Sequence, residues 1–431
     1  MTEDFAPLLK PTPIGNKTSP NAMAVLPMEG CDCRPDGGPS ELFTRRYHRF
    51  AEGGAGLLWW EACAVVPEGR ANPLQMWMTE DNAADYAAVL ADCNAAAVKA
   101  NGATPVNILQ LTHSGRYSRP VGHSYAPIIP QHDPLLDPRV GIDTSHAVAT
   151  DEYLDSLVDC YVKSALLAQQ AGFDGVDIKA CHRYLLSELL ASHTRPGKYG
   201  GSFENRTHLF LDIVRAVRAA VRPDFIIASR MNVHDMHPYP YAFGTVAVEG
   251  SMDYDPTEPV KLAKLLEAEG VGLMGASASN PYYIQVHRGR PYCQPAMGTP
   301  TADEHPLVST GAIFGYARDI QSAVSIPVVG GGYSWLRQYM AHTGAANLAA
   351  GDCAFVGFGR QAFAYPDAPR DIIRNGEMNP GKVCIACSKC TQIMRDHGRT
   401  GCVIRDSGVY APLLKEARED AEKRAMRAMK N

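Results

Sequence analysis

The stretch YLDSLVDCYVKSALLAQQAGFDGVDIK, residues 153–179, contains the unit from which the fold is built. Its first part, residues 153–170, has a helical pattern, and residues 175–179 form a short run typical of a β-strand. The same alternation of strand-like and helix-like segments continues nearly throughout the chain. Repeated βα units of this kind predict a parallel sheet in an α/β protein.

Eight strand-like segments lie along the chain, at residues 22–26, 56–62, 105–111, 175–179, 225–230, 270–274, 327–330 and 354–357. Helical patterns follow them, at residues 41–51, 83–100, 153–170, 207–219, 259–268, 312–324, 336–342 and 361–374. Eight strands that are each followed by a helix fit a closed (β/α)8 TIM barrel. An open doubly wound sheet is the alternative, but the sequence has no GxGxxG opening a helix after the first strand.

Three long segments rich in Pro, His and Gly follow the third, fifth and sixth predicted strands, at residues 114–150, 235–257 and 277–306. Loops at the C-terminal ends of barrel strands are where enzymes of this fold build their active sites. The barrel pattern ends near residue 379. We therefore expect a barrel domain over residues 1–378, and a C-terminal extension over residues 379–431 that ends in a charged helix.

The composition narrows the class of protein. Of 431 residues, 45% are hydrophobic and 20% are charged, which is enough to form a large globular core. The sequence lacks an apolar run near the roughly 18 residues that span a bilayer, and its N-terminus lacks the pattern of a secretory signal. A net charge of −5 argues against a nucleic-acid partner. These features predict a soluble, cytoplasmic protein.

The C-terminal extension contains four cysteines in the pattern C-x2-C-x2-C-x11-C, at Cys384, Cys387, Cys390 and Cys402. Thiolates at this spacing can converge on one metal centre, either a tetrahedral zinc ion or an iron–sulfur cluster. Zinc ribbons usually carry two CxxC pairs, whereas three closely spaced ligands and a distant fourth suit a cubane better. The spacing therefore favours a 4Fe–4S cluster, and a structural zinc ion is the alternative.

The region around residues 171–206, and above all YGGSFENR at residues 199–206, resembles the old yellow enzyme family. PIGN, LPM, YHRFAEGGAGLLWWEA, LQLTHSGR and FVGFGR match the same family along the barrel. With the cysteine motif added, the chain resembles the iron–sulfur branch that contains 2,4-dienoyl-CoA reductase and trimethylamine dehydrogenase. This resemblance implies FMN in the barrel and a 4Fe–4S cluster behind it.

Phosphate binding by the flavin site is predicted at the ends of the last two strands. TIM barrels commonly bind phosphate there, on backbone amides that side chains do not block. The residues expected to form this site are Gly330, Gly331, Gly332, Gly359 and Arg360. Arg360 would complete it as a two-pronged donor.

The resemblance also implies contacts to the flavin ring. Arg230 corresponds to the family arginine beside flavin N1, and Gln110 to the glutamine that binds the pyrimidine edge. Pro27, Met28 and Ala62 are expected to supply backbone contacts.

The predicted catalytic residues follow the fourth strand. Family members carry His-x-x-His or His-x-x-Asn there, followed by x-Tyr, whereas this chain reads KACHRY at residues 179–184. Lys179 and His182 therefore take the two substrate-binding positions, and Tyr184 matches the tyrosine that protonates the substrate carbon. Lys179 or Arg183 is expected to lower the pKa of Tyr184.

Other polar residues also lie near the predicted site. Glu29 stands where relatives often place Thr or Cys near the flavin. Residues 280–283 (NPYY) and His287 are expected to line the substrate pocket. His234, Asp235 and His237 have a spacing that could bind metal, but an active-site loop without metal is favoured.

These features predict an ene-reductase in which reduced FMN transfers hydride to a C=C bond conjugated to a carbonyl. Electrons would arrive through the 4Fe–4S cluster from a separate ferredoxin or flavoprotein. NAD(P)H could instead donate hydride directly to FMN. The protein could also form a homo-oligomer. One alternative is a dehydrogenase that oxidises an amine or other C–H bond and passes electrons out through the cluster. Another is a non-catalytic electron-transfer subunit.

Overall fold

The computed structural model describes residues 3–283 and 304–428. A hairpin of two short strands precedes eight parallel strands that close into a barrel, in which the first barrel strand pairs with the last. The strands are β1 (Thr12–Ile14), β2 (Lys17–Ser19), β3 (Met23–Val25), β4 (Leu57–Ala64), β5 (Val106–Thr112), β6 (Gly175–Ile178), β7 (Ile226–His234), β8 (Leu273–Ala278), β9 (Val328–Gly330) and β10 (Phe355–Phe358). The predicted (β/α)8 TIM barrel is confirmed.

Helices surround the barrel and form most of the C-terminal extension. They are α1 (Ala6–Leu9), α2 (Glu41–Glu52), α3 (Ala83–Asn101), α4 (Asp151–Gln170), α5 (Leu185–Leu190), α6 (Phe203–Ala220), α7 (Thr257–Ala268), α8 (Pro306–Gln321), α9 (Met340–Ala350), α10 (Arg360–Ala364), α11 (Ala368–Asn375), α12 (Lys389–Arg395) and α13 (Ser407–Ala428). None of the helices in the described ranges combines the length and apolar character that crossing a membrane requires.

One end of the barrel is closed by apolar packing. Ile14, at the tip of the β1–β2 hairpin, is fully buried and packs in one cluster with inward-facing residues of the barrel strands, among them Leu57, Val106 and Ile226. These three side chains stand at or near the starts of their strands, so the hairpin covers the N-terminal end. The opposite end, where the strands finish, carries the loops and the cavity.

Several predicted helix boundaries were wrong, each for a local reason. The predicted helix at residues 336–342 is a 3-10 segment, Tyr333–Tyr339, followed by α9. The predicted helix at residues 361–374 is divided into α10 and α11, with Pro366 between them and Pro369 in the first turn of α11, because proline disrupts a helix interior but suits its start. Helix α6 begins at Phe203, since the Ser202 side chain accepts a hydrogen bond from Asn205 N.

The C-terminal extension packs on the barrel through apolar and polar contacts. Tyr410 and Leu414 of α13 are buried with Ile393 of α12. Asp406 accepts hydrogen bonds from Arg45 Nη1 at 2.8 Å and Arg49 Nη1 at 2.5 Å, both on α2. The extension is therefore joined to the outside of the barrel next to β3 and β4, and it reaches the C-terminal end of the strands.

Candidate active site and metal centre

A cavity of about 200 Å³ opens at the C-terminal end of the barrel. Turns after several strands line it, and residues of the C-terminal extension form one wall. The lining includes Pro27, Met28, Glu29, His182, Arg230, Ser277, Gly331, Gly332, Ser334, Gly359, Arg360, Cys390, Thr391, Met394 and Thr400. Of the residues predicted from sequence, Pro27, Met28, His182, Arg230, Gly331, Gly332, Gly359 and Arg360 are thus brought together.

The side of the cavity beside β9 and β10 has the shape of a phosphate cradle. A β-carbon on Gly331 would meet only Leu26 Cδ1, at 3.9 Å, and one on Gly359 would come no closer than 3.8 Å to any atom. Their side-chain positions therefore open into the cavity, and their backbones can approach a ligand closely. Gly330 differs, because its β-carbon position lies 3.4 Å from Cys353 Sγ, and Gly330 does not line the cavity.

Arg230, on β7, also lines the cavity and is held by two contacts. Its backbone N donates to Asp177 Oδ1 at 2.7 Å, and its Nη2 donates to Ser277 Oγ at 3.4 Å. Burial raises the pKa of Asp177, although hydrogen bonds from Gln110 and Arg230 oppose that rise. A fixed guanidinium at this place can stabilise negative charge on a bound ring.

Two residues predicted to contact the flavin lie in the barrel wall and do not line the cavity. Gln110 Nε2 donates to Asp177 Oδ2 at 2.6 Å, so its side chain points along the sheet toward β6. The carbonyl of Ala62 accepts from Gln75 Nε2 at 2.9 Å. Their roles toward a flavin stay predictions.

Glu29, which lines the cavity, contacts Lys179 and Tyr184, which lie behind it and outside the cavity lining; we call this group the acid–base corner. Tyr184 Oη donates to Glu29 Oε1 at 3.3 Å, and Lys179 Nζ lies 3.5 Å from the same oxygen. The Lys179 ammonium also lies over the Tyr184 ring, 3.9 Å from its centroid. Tyr282 Oη donates to Tyr184 Oη at 3.2 Å. The phenol is thus in contact with a carboxylate, a second phenol and an ammonium group.

The predicted lowering of the Tyr184 pKa was wrong. Burial, followed by the negative charge of Glu29, raises the pKa of Tyr184 well above its ordinary value. Arg183, which was expected to help lower it, points away from the cavity and is fully buried among acidic groups. The Lys179 cation is close, but Glu29 offsets its charge.

His182 lines the cavity in an unusual backbone conformation. His182 and Arg183 have φ values of 63° and 62°, in the left-handed region that residues with side chains rarely adopt. The His182 backbone N donates to Asn232 Oδ1 at 3.2 Å, and His182 Nε2 lies 3.0 Å from Ser277 Oγ. This turn brings the imidazole to Ser277, which also contacts Arg230.

Below this turn lies a set of charged side chains that we call the buried ion network. Arg183 Nη1 donates to Asp235 at 3.0 Å, and Arg116 Nε donates to Glu188 at 2.6 Å. Arg116 also pairs with Asp137, and Arg183 lies 3.4 Å from Asp133. The members of the network are Arg116, Asp133, Asp137, Arg183, Glu188 and Asp235. Sequence reasoning named Arg183 and Asp235 but missed the other four members, Arg116, Asp133, Asp137 and Glu188.

The residues with a metal-compatible spacing after β7 are separated by their contacts. His234 Nδ1 lies 3.0 Å from Tyr316 Oη, and His237 Nε2 lies 2.8 Å from Asp133 Oδ2. Asp235 instead pairs with Arg183. His287 lies outside the described residues.

A second, smaller cavity is lined by all four cysteines of the motif, Cys384, Cys387, Cys390 and Cys402. The four thiols are thus brought to one place, where they could bind a single metal centre, either zinc or an iron–sulfur cluster. Within the described ranges, a separate set of three His, Cys, Asp or Glu ligand atoms that all lie within 4.8 Å consists of Asp32, Cys33 and Glu61.

The Asp32 and Glu61 carboxylates already have a cationic partner. Arg46 Nη2 lies 2.8 Å from Asp32 Oδ1 and 3.2 Å from Glu61 Oε2. Burial raises the pKa of Glu61 to about 7, and Arg46 opposes that rise. Glu61 also accepts a hydrogen bond from the backbone N of Gly30, next to Glu29.

Comparison with known proteins places this architecture. The family described as NADH:flavin oxidoreductase / NADH oxidase matches the chain over residues 7–243. The NADH oxidase of Thermoanaerobacter brockii is 27% identical over 379 residues, covering 87% of this chain and 52% of that protein. The metal reductase of Desulforamulus reducens is 29% identical over 384 residues, covering 89% of this chain and 51% of that protein.

A solved structure with a similar fold is a complex of 2-naphthoyl-CoA reductase with 2-naphthoyl-CoA. It has a TM-score of 0.72 and 19% identity, and the match covers 93% of this chain and 57% of that chain. At this identity the likeness shows the fold alone. The chain spans about half the length of the curated relatives it matches.

Proposed function

Because the chain belongs to the NADH:flavin oxidoreductase / NADH oxidase family, we propose that it is an FMN-dependent ene-reductase. Its substrate would carry a C=C bond conjugated to a carbonyl. The observation that carries this proposal is the acid–base corner: a phenol, an ammonium group and a carboxylate meet beside a cavity whose opposite side is a glycine cradle. Proton donation and anion binding at one place are what reduction of such a bond needs.

The cavity has features that suit FMN. Backbone amides at Gly331 and Gly332 and the side chain of Arg360 would hold the phosphate, and Arg230 would face the ring. FMN, when bound, supplies the hydride. Gly330 would support the turn without touching the ligand, since it faces Cys353.

The chain's own residues have distinct proposed roles in the reaction. Lys179, 4% exposed, and His182 would bind and polarise the carbonyl oxygen of the substrate. Tyr184 would donate the proton to the carbon next to that carbonyl. Tyr282 would keep the phenol in place by its hydrogen bond of 3.2 Å and would stabilise the phenolate after the proton has left.

We propose further that Cys384, Cys387, Cys390 and Cys402 bind a 4Fe–4S cluster that supplies electrons to the cavity. The four thiols line one cavity, and their C-x2-C-x2-C-x11-C spacing suits a cubane better than zinc. Arg360, Phe363 and Cys390 line both cavities, so only one layer of side chains separates them. A ferredoxin, a flavoprotein or NAD(P)H is the proposed electron source.

One experiment tests the reaction. Protein purified anaerobically with its flavin would be reduced and then mixed with enones, enoyl-CoA esters and quinones, while absorbance reports the flavin. We expect at least one conjugated alkene to reoxidise the flavin and to appear as its saturated product. If amines reduced the flavin and every alkene left it reduced, the chain would instead be a dehydrogenase.

A second experiment tests the metal centre. Iron, acid-labile sulfide and zinc would be measured in the wild type, in Cys387→Ser and in the control Cys160→Ser, whose thiol lies on α4 far from the motif. We expect about four irons and four sulfides per chain in the wild type and the control, and a loss of both in Cys387→Ser. Stoichiometric zinc without sulfide would contradict the proposal.

A further inference from the structure

We propose that Glu29 is a catalytic residue of this site: its carboxyl group returns a proton from solvent to Tyr184 after each turnover. This inference rests on the proposed function and deepens it. Glu29 is the member of the acid–base corner that a family resemblance does not explain. Its position between the phenol and the open cavity carries the proposal.

The contact geometry makes Glu29 the direct partner of the phenol oxygen. Glu29 Oε1 accepts from Tyr184 Oη at 3.3 Å, whereas Lys179 Nζ lies over the face of the ring. The Glu29 side chain is 17% exposed and lines the cavity, but Lys179 is 4% exposed. Glu29 therefore contacts both the phenol and the space that water can enter, and Lys179 balances its charge.

The environment of Tyr184 creates the need for such a partner. Its pKa is raised well above the ordinary value by burial and by the Glu29 charge, so a phenolate left behind by proton donation is costly. A neighbour that returns a proton promptly removes that cost. Tyr282 can donate a hydrogen bond to the phenolate, but burial raises its own pKa, so it cannot act as the source.

The proton balance closes with solvent as the source. The alkene receives a hydride from the cofactor at one carbon and a proton from Tyr184 at the other. The Glu29 carboxylate takes a proton from water in the cavity and passes it to the Tyr184 phenolate, which leaves Glu29 ionised again. One solvent proton is consumed for each alkene reduced, and Tyr184, Glu29 and Lys179 all return to their starting states.

The backbone fixes Glu29 in this position. The backbone N of the next residue, Gly30, donates to Glu61, and the carbonyl of Gly30 accepts from Thr400 N at 2.6 Å. A β-carbon at Gly30 would lie 2.2 Å from Arg46 Nη2, so only glycine fits there. The turn is thus held from β4 on one side and from the C-terminal extension on the other.

Several other ionisable groups face Glu29. They come from the turn itself, from β4, from the end of β6, and from the turn after β8, and they are Cys31, Glu61, Lys179, Cys181, Tyr184 and Tyr282. Lys179 is the cation among them. A change at Glu29 therefore acts first on the Lys179 charge and on the ionisation of Tyr184.

The test compares Glu29→Gln with Glu29→Asp and with the control Glu68→Gln. Glu68 also accepts a hydrogen bond from a tyrosine, Tyr153, at 3.2 Å, but lies outside the cavity lining. Flavin reduction and alkene-dependent reoxidation would be followed separately across a range of pH. We expect Glu29→Gln to slow reoxidation about a hundredfold while reduction keeps its rate, Glu29→Asp to recover part of the loss, and Glu68→Gln to match the wild type.

A second readout does not depend on turnover. Ultraviolet titration of tyrosinate, with Tyr184→Phe subtracted, reports the ionisation of Tyr184. We expect Tyr184 to ionise at lower pH in Glu29→Gln, because a negative charge is removed beside it and Lys179 is left uncompensated. Should the wild type reduce no alkene, the proposed function fails while this titration still reports the coupling. Wild-type reoxidation in Glu29→Gln, equal slowing of both half-reactions, or an unchanged Tyr184 titration would each overturn the role of Glu29.

Discussion

Arg183 and Tyr184 are neighbours in the chain, yet they belong to two clusters with different electrostatic environments. Arg183 lies in the buried ion network, fully buried, with carboxylate oxygens at 3.0 Å and 3.4 Å. Tyr184 lies in the acid–base corner, where contacts are 3.3 and 3.5 Å long and Glu29 faces the cavity. In the first cluster every carboxylate contacts a buried arginine, whereas the second has one member, Glu29, on the cavity.

The two clusters also differ in how their surroundings shift the pKa values of their members. Burial raises the pKa of Glu188, but Arg116 and Arg183 oppose the rise. The hydrogen bond from His237 and the charge of Arg183 overcome burial and hold the pKa of Asp133 below its ordinary value. Ionised partners that fix one another make a rigid floor under the left-handed turn. In the acid–base corner, burial and the charge of Glu29 instead raise the pKa of Tyr184, so the phenol keeps its proton.

The largest effect is expected from breaking the network. Arg183→Met should lower the free energy of unfolding by about 3–5 kcal/mol, because it leaves Asp235 and Asp133 buried without their shared cation. Urea unfolding followed by circular dichroism measures this loss. The matched control is Arg34→Met, whose partners Asp36 and Asp85 are exposed and whose loss should cost less than about 1 kcal/mol. Equal effects of the two substitutions would refute the contrast.

The next largest effect is expected from a substitution in the acid–base corner. It should lower the rate of flavin reoxidation and hardly change the free energy of unfolding. Tyr184→Phe should reduce alkene-dependent flavin reoxidation about a hundredfold, because the variant has no phenol to donate the proton. The same substitution should leave the urea midpoint close to that of the wild type, since the ring and its packing remain. Stopped-flow absorbance gives the rate. Full turnover by this variant would remove Tyr184 from its proposed role.

Glu61 is an intermediate case. It is buried like the members of the buried ion network, but its pKa is raised toward neutral pH. Its pKa in the folded protein is about 7, against 4.5 for an ordinary glutamate. Between these values the folded state holds a proton that the unfolded state has released. Stability contributed by Glu61 is therefore present at low pH and is lost as the pH rises through the window from 4.5 to about 7.

Glu61→Gln should remove that loss. Relative to the wild type, the variant should become more stable as the pH rises across this window, by roughly 1 kcal/mol per pH unit at most. The glutamine oxygen can still accept from Gly30 N, which keeps the turn in place. Urea unfolding at several pH values checks the slope. A difference between variant and wild type that stays constant with pH would show that Glu61 is ionised throughout.

The barrel was predictable from sequence because its signal is local. Strand-like and helix-like segments alternate, and each can be identified within about twenty residues. The glycine turns could be placed for the same reason, since strand order in a barrel determines which turns share a face. Helix ends were less predictable, as the break at Pro366 and the early start at Ser202 show.

The buried ion network was not predictable, because its partners are remote. Arg183 meets Asp133 across 50 positions and Asp235 across 52, and a sequence contains no measure of which side of a turn a side chain takes. The same limit explains Gly330 and Gln110, whose positions were correct along the strand but whose atoms face Cys353 and Asp177. Glu29 shows the opposite case. The sequence identified it as an unusual residue at its position, but its contact with Tyr184 became visible only in the structure.

The C-terminal extension contributes contacts on both sides of the phenol. Thr400 N holds the carbonyl beside Glu29, and Arg395 Nη2 donates to Pro281 O at 3.1 Å, next to Tyr282. For protein engineering, this means that the barrel alone is the wrong unit to transplant into another enzyme. A chimera that exchanged only the barrel would lose the contacts that Thr400 and Arg395 make with the turns that carry Glu29 and Tyr282. Random libraries aimed at new substrates should therefore include α12 and its flanks together with the barrel loops.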